Sequence, residues 1–211
     1  GEVRAPMSSI PPIPLNPRKV IARRAAFELQ PNSVVNLGIG IPEGVANVAN
    51  EEQILNYITL TAEPGIIGGL PAGGLDFGAA FNADAVIDQP YQFDYYDGGG
   101  LDITCLGMAQ VDKHGNVNVS RFSDRLAGAG GFINISQNTP KVVFVGTFSS
   151  GKVGVEIQNS QMNIIEDLGS KKFIEEVEQI TFSGKQANER GQEVLYVTER
   201  CVFQLTLDGL E

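Results

Sequence analysis

The segments Ser33-Val-Val-Asn-Leu-Gly-Ile-Gly-Ile-Pro-Glu-Gly44 and Tyr57-Ile-Thr-Leu-Thr-Ala-Glu63 decide the fold class. Residues 33–37 are a short apolar run ending at glycine, the pattern of a buried strand. A turn over 38–44 follows, and Pro42 opens a helix over 42–50, because a first-turn proline gives up only an N–H that lacks a helical acceptor. Residues 57–61 form the next strand and deliver Glu63 at its C-terminal end. Strand, turn, helix and strand in this order build a parallel sheet.

Upstream, Asn16-Pro17 supplies an N-cap and a first-turn proline for a helix over 17–30, with Val20, Ile21, Ala25, Phe27 and Leu29 apolar. Residues 1–16 carry Pro6, Pro11, Pro12 and Pro14, so an extended linker without helix is expected there. Downstream, 64–82 reads as a glycine-rich loop, 85–87 as a strand, and 89–96 as a helix closed by Gly98-Gly-Gly100. A strand over 101–106 leads to a hairpin turning at Asp112-Lys-His-Gly-Asn116. A second glycine-rich stretch fills 123–138, and Lys141-Val-Val-Phe-Val145 is the clearest buried strand. Residues 171–182, 193–198 and 201–206 read as strands. The expected fold is α/β, an open mixed or parallel sheet with helices on both faces, over a single domain of residues 17–211. The chain stops just after a strand pattern, which points to a truncated piece of a longer polypeptide.

The formal net charge of −10 argues against nucleic acid or an anionic membrane as a partner, while leaving room for a small anion held locally. No apolar run is long enough to cross a membrane and no signal-peptide pattern is present, so the cytoplasm is the expected compartment. Cys105 and Cys201 lack metal-type spacing and read as reduced thiols, and His114 as a polar turn residue; no metal site is expected.

Two chemistries compete for Glu63. The turn Gly38-x-Gly40-x-x-x-Gly44, its helix, and an acid at the end of the next strand outline a dinucleotide site of NAD type. Against it, the glycine spacing is one residue too long, and Pro42 removes an N–H that would face a pyrophosphate. A carboxylate can instead act as a covalent nucleophile, given rigid backbone and nearby oxyanion donors. Pro64 stiffens the exit from the strand, and Gly65, Gly68 and Gly69 would admit a bulky substrate. Gly98, Gly99 and Gly100 are a second source of donors. An ordinary strand-end glutamate is the plain alternative.

Five motifs taken together resemble the family I CoA-transferases. They are Asn36-Leu-Gly-Ile-Gly-Ile-Pro42, Ala62-Glu-Pro-Gly65 with Gly68-Gly69, Asp97-Gly-Gly-Gly-Leu-Asp102, Leu106-Gly-Met-Ala-Gln-Val-Asp112 with Gly115-Asn116, and Gly128-Ala-Gly-Gly131. The likeness runs from about residue 17 to the end and is to the C-terminal, beta-type half, nearest the fused bacterial acetate, propionate and ketoacid enzymes. It implies that Glu63 is the catalytic glutamate, forming a glutamyl-CoA thioester in a ping-pong exchange between an acyl-CoA and a small carboxylic acid. It implies no cofactor beyond coenzyme A as substrate, an alpha-type half as partner, and a homo-oligomer. One oxyanion donor is implied at Gly98-Gly99, with Gly99 preferred, while Asn36, Gly38, Gly40, Gly65, Gly68, Gly69, Gly130 and Gly131 shape the pocket. The active site of the family lies between the halves, so this chain alone is expected to turn over little. Lys141, Lys152 and Lys185 are candidates for CoA phosphates by charge alone.

Overall fold

The computed structural model describes residues 4–211. Nine strands make one sheet: β1 (Val34–Leu37), β2 (Thr59–Ala62), β3 (Ile66–Ile67), β4 (Ala85–Val86), β5 (Ile103–Gly107), β6 (Lys141–Val145), β7 (Glu193–Val197), β8 (Val202–Thr206) and β9 (Gly209–Leu210). Their spatial order is β9-β8-β7-β6-β5-β1-β2-β3-β4. The central five, β7-β6-β5-β1-β2, are parallel, and both edges turn antiparallel. The chain moves outward from β1 to β2 and then returns to the other side of β1 as β5. Strand order therefore reverses between β1 and β5, and open α/β sheets bind ligands beyond the strand C-termini at such a reversal.

Alternation along the strands builds two cores. Val35, Leu37, Leu60, Ile103, Cys105, Val143 and Val145 face α1 (Pro17–Ala26) and α2 (Glu43–Glu51), which pack there through Ile21, Ala22, Ala25, Val45 and Val48. Leu106, Val142, Phe144, Val194 and Tyr196 face the other way, with Tyr96, Phe132, Ile135 and Ala187. Those four come from α3 (Gln89–Asp97), α4 (Phe132–Asn138) and α5 (Gly184–Arg190). The α/β sheet with helices on both faces is as the sequence indicates.

Several local readings change. The 64–82 stretch is not a bare loop: it holds β3 and a second pairing, Leu70–Pro71 with Ala80–Phe81. Residues 123–138 include α4, whose Phe132-Ile-Asn-Ile pattern was hidden by the preceding glycines. The single strand expected over 171–182 is replaced by two short pieces, Ser170–Lys171 and Phe173–Ile174. A long antiparallel hairpin pairs Val153–Gln158 with Gln161–Asp167. Helix α1 ends at Ala26, leaving Phe27 exposed. Residues 1–3 of the expected linker lie outside the described residues; the rest is extended apart from one 3-10 turn at Met7–Ser9, where Ser9 N–H donates to the Pro6 carbonyl at 2.9 Å. The hairpin turn at 112–116 is present, with His114 N–H and Asn116 N–H both donating to Asp112 Oδ1, so that part of the sequence folds as a polar turn.

Candidate active site

Glu63 follows β2 directly, at the C-terminal edge of the sheet, one strand away from the β1–β5 reversal. Its turn is tightly closed. Gly65 N–H donates to the Ala62 carbonyl at 3.0 Å, and Ile87 N–H donates to the Gly65 carbonyl at 2.9 Å. The carboxyl is half-buried, and burial pushes its pKa above the ordinary 4.5. Among the described residues it has no ion-pair partner. An unpaired carboxylate held back from water keeps more of its nucleophilicity than one locked in a salt bridge.

The glycine nearest to that carboxyl is Gly131. A Cβ built there would stand 2.6 Å from Glu63 Oε2 and 2.5 Å from Phe93 Cζ. Gly131 is the N-cap of α4 with φ −76° and ψ −5°, a conformation open to any residue, so it is the contact and not the backbone that requires glycine here. Gly130 beside it has φ +54° and open space around its Cα. Among the described residues, neither Gly130 nor Gly131 donates its N–H to another group. Gly131, whose N–H has no acceptor among the described residues, thus lies against a desolvated carboxyl, and Gly130 precedes it.

Gly98 and Gly99 are elsewhere. Helix α3 runs from the C-terminal edge of the sheet, where Gln92 meets Ala62, to the opposite edge, where Asp102 N–H donates to the Val34 carbonyl at 3.0 Å. Gly98, Gly99 and Gly100 close the helix at that far end, before β5 begins, and cannot reach the Glu63 carbonyl. The triple glycine is a helix stop. The resemblance implies a donor at Gly98-Gly99 and gives Gly130 and Gly131 only a share in shaping the pocket; the order of helix and strand places Gly131, not Gly99, beside the carboxyl.

Gly65, Gly68 and Gly69 are not open to a ligand either. Side chains there would collide with the Ile87 carbonyl, the Asp84 carboxylate and the Phe81 carbonyl, respectively, and all three residues have positive φ. Their glycines serve the tight β2–β3–β4 turns. We expect Gly65→Ala to lose about 2–4 kcal/mol of stability, checked by denaturant titration, since it combines a backbone collision with φ +113°. Gly38 is packed on β5, its Cα facing Leu106 Cδ2. Gly40 has open space around it. Gly44 lets α2 approach Ala22 of α1, and the Glu43 carboxylate in the first turn of α2 accepts from Gly74 N–H at 3.2 Å. A carboxylate already at that helix start disfavours a pyrophosphate there, so the geometry weighs against the dinucleotide reading.

Asn36 lies beneath the site. The register sets Asn36 beside Thr61 on one side and Thr104 on the other, and all three are buried. Asn36 Nδ2 donates to Tyr96 OH at 3.2 Å, Tyr96 OH donates to Thr61 Oγ1 at 3.0 Å, and Thr104 Oγ1 donates to Asn36 Oδ1 at 3.0 Å. Gln92, one turn before Tyr96, joins the same floor. Sequence reasoning missed Gln92, Phe93, Tyr96, Thr61 and Thr104. The signal was there: polar residues recurring at one level of three apolar strands, and two hydrogen-bonding side chains four apart on a helix.

The three lysines face carboxylates. Lys141 bridges Glu28 at 2.7 Å and Glu193 at 2.8 Å, at the N-terminal edge of the sheet and away from Glu63. Lys152 pairs with Glu166, and Lys185 lies 3.9 Å from Glu189. Cys105 is wholly buried and its thiol is pushed up to about 12 by burial; Cys201 is partly exposed, and both are free thiols. Among the described residues no His/Cys/Asp/Glu cluster fits a metal, and no helix is long and apolar enough to cross a membrane.

No protein-family model matches the chain. It is 53% identical over 210 residues to the caffeate CoA-transferase of Acetobacterium woodii, covering 97% of this chain and 40% of that protein. It is 48% identical over 198 residues to the acetate CoA-transferase YdiF of Escherichia coli K12, covering 94% of this chain and 37% of that protein. The acetate CoA-transferase subunit beta of the same organism is 34% identical over 140 residues, covering 61% of this chain and 63% of the subunit. The chain therefore spans about two fifths of the length of the first two relatives. The crystal structure of the YdiF apoenzyme from Escherichia coli O157:H7 superposes with a TM-score of 0.88 at 47% identity, over 94% of this chain and 38% of that one. A thioester complex of the same protein with CoA superposes with a TM-score of 0.87 at 46% identity, over 96% of this chain and 38% of that one.

Proposed function

We propose, from the premise that the homologues of this chain are CoA-transferases, that it is the beta-type, C-terminal part of such an enzyme and that Glu63 is its nucleophile. The observation that carries the reading is the desolvated, unpaired Glu63 carboxyl against Gly131 at the C-terminal edge of the sheet. The Glu63 carboxylate attacks the thioester carbonyl of an acyl-CoA. An acyl-glutamyl anhydride forms and CoA leaves as the thiolate. The thiolate attacks the glutamyl carbonyl, giving a glutamyl-CoA thioester and releasing the first acid as its carboxylate. A second carboxylate then runs the same steps in reverse. No net proton, phosphoryl group or electron pair is transferred, so the chemistry calls for oxyanion stabilisation and water exclusion alone.

The oxyanion of each tetrahedral intermediate is held by the free N–H groups of Gly130 and Gly131, in place of Gly98 and Gly99. Water is kept out by an alpha-type half docked over this edge. Exposed apolar side chains around the turn support that placement: Ile39, between Gly38 and Gly40, and Leu75, close before Gly78, which packs on Pro64. The isolated chain accordingly has little turnover, and the assembled enzyme is a homo-oligomer. Its acids are small and short-chain.

Initial rates of the assembled enzyme with acetyl-CoA and a second short-chain acid test the reading. Parallel double-reciprocal lines are expected for the ping-pong route. Intersecting lines, which require both substrates to be bound together, contradict it.

The pH profile follows from the Glu63 shift. Only the ionised carboxylate attacks. Because burial raises its pKa, ionisation is lost at a higher pH than for an ordinary carboxylate at 4.5. The acid limb of kcat/KM for the acyl-CoA should therefore break above 4.5. A break at or below that value would show Glu63 fully solvated or ion-paired in the working enzyme.

A further inference from the structure

We infer that Gln92 is a positioning residue, one whose side-chain amide fixes the turn that aims Glu63. The inference rests on the reading of Glu63 as the nucleophile. Gln92 lies in the first turn of α3 and is wholly buried. Its Nε2 donates to the Ile66 carbonyl at 3.1 Å and the Ala62 carbonyl at 3.3 Å, and lies 2.9 Å from Tyr96 OH. Ala62 and Ile66 face each other across the β2–β3 ladder, so these two carbonyls bracket Glu63-Pro64-Gly65. A single helix side chain thus ties down both ends of the turn bearing the carboxylate.

The orientation of the amide is forced. Backbone carbonyls only accept, so exchanging the amide nitrogen and oxygen would press Oε1 against two carbonyl oxygens. In the orientation that remains, Oε1 has no hydrogen-bond partner among the described residues. A buried acceptor without a donor weakens a fold, and a methionine or leucine would fill this space without one. The arrangement is costly as packing and useful as a clamp. The next residue on the helix, Phe93, has its ring edge where a Gly131 side chain would stand, next to the Glu63 carboxyl. Gln92 therefore holds the turn from below while its neighbour bounds the carboxyl from the side. Tyr96, one turn on, is anchored instead to Thr61 and Asn36 and bonds to neither turn carbonyl. Free rotation of the turn would scatter the carboxylate over directions that do not meet a thioester carbonyl, and loss of alignment lowers kcat without changing substrate affinity.

The test is Gln92→Met in the assembled enzyme, with acetyl-CoA as the probe. The rate of covalent labelling of Glu63 is read by rapid quenching and peptide mass, alongside kcat, the KM for acetyl-CoA and the thermal midpoint. The expected result is a fall of roughly 10–100-fold in kcat and labelling rate, with KM within about twofold. The thermal midpoint should stay close to that of the parent, because loss of the orphaned oxygen offsets loss of the donor to the Ala62 and Ile66 carbonyls. Tyr96→Phe, which leaves both carbonyl bonds of Gln92 in place, should keep the labelling rate within about fivefold. Labelling by Gln92→Met within about twofold of the parent overturns the inference. So does a rate loss matched by a lowered midpoint, or an equal loss in Tyr96→Phe, since either makes Gln92 part of the general floor. Absence of label at Glu63 in the parent enzyme overturns the nucleophile reading itself, and this claim with it.

Discussion

Glu63→Gln in the assembled enzyme should lower kcat at least ~10⁴-fold while raising the melting temperature at pH 7. The two effects share one cause. The carboxyl is held away from water with no cation beside it, so the fold favours its neutral form. A carboxyl whose folded pKa lies above its unfolded pKa contributes stability below the unfolded value and loses it as pH rises through the folded value. At pH 7 the ionised side chain is therefore a burden on the fold. Glutamine keeps the shape, removes the charge and relieves that burden. The gain should shrink as pH falls from the raised folded value toward the ordinary carboxylate value of 4.5, by which point the folded parent is itself protonated. Calorimetry across pH, paired with initial rates, reads both. A variant that loses stability at pH 7 would place a stabilising partner on Glu63.

Gly131→Ala should be nearly silent in stability and severe in activity, by ~100-fold or more in kcat. The backbone there is ordinary right-handed helical, so alanine introduces no strain. Its methyl would stand 2.6 Å from Glu63 Oε2 and 2.5 Å from Phe93 Cζ, far inside van der Waals contact, and both side-chain tips must move aside. The carboxylate ends a short turn and moves more easily than the start of a packed helix. Gly130→Ala is the contrasting control. Its Cβ meets nothing within 4 Å, but φ +54° makes alanine strained, by about 1 kcal/mol. The account expects stability to suffer more at 130 and catalysis more at 131. Thermal midpoints and kcat for the pair test it, and equal catalytic losses would remove the special role of the Gly131 contact.

The fold was legible where period and punctuation agreed. Residues 34–37, 59–62 and 141–145 lie at the centre of a parallel sheet, which buries most of them, though the second strand begins at Thr59 rather than at Tyr57, an exposed residue in a 3-10 turn. The α1 start was marked by Asn16, whose Oδ1 accepts from Lys19 N–H at 3.0 Å. Short elements escaped. β3 has two residues and α4 seven, too few to show a period, and both lie among glycines that read as loop. The exposed hairpin over 153–167 carries little apolar burial and so left no pattern.

At the site, the strand-end position of Glu63 was readable from the sequence, but which glycines lie beside its carboxyl was not. Gly98-Gly99 and Gly130-Gly131 look alike in one dimension. Helix α3 carries the first pair to the far edge of the sheet, while the Gly128–Gly131 stretch leaves Gly131 against the carboxyl. The polar floor of Asn36, Thr61, Thr104, Gln92 and Tyr96 depends on strand register and helix phase together, which no single segment reveals.

The central claim is that Glu63 carries the covalent intermediate. The direct measurement is to incubate the assembled enzyme with acetyl-CoA, trap with borohydride or hydroxylamine, and map the modified residue by peptide mass. The account predicts modification at Glu63 alone, abolished in Glu63→Gln. Modification at another residue, or unchanged trapping in Glu63→Gln, would contradict it.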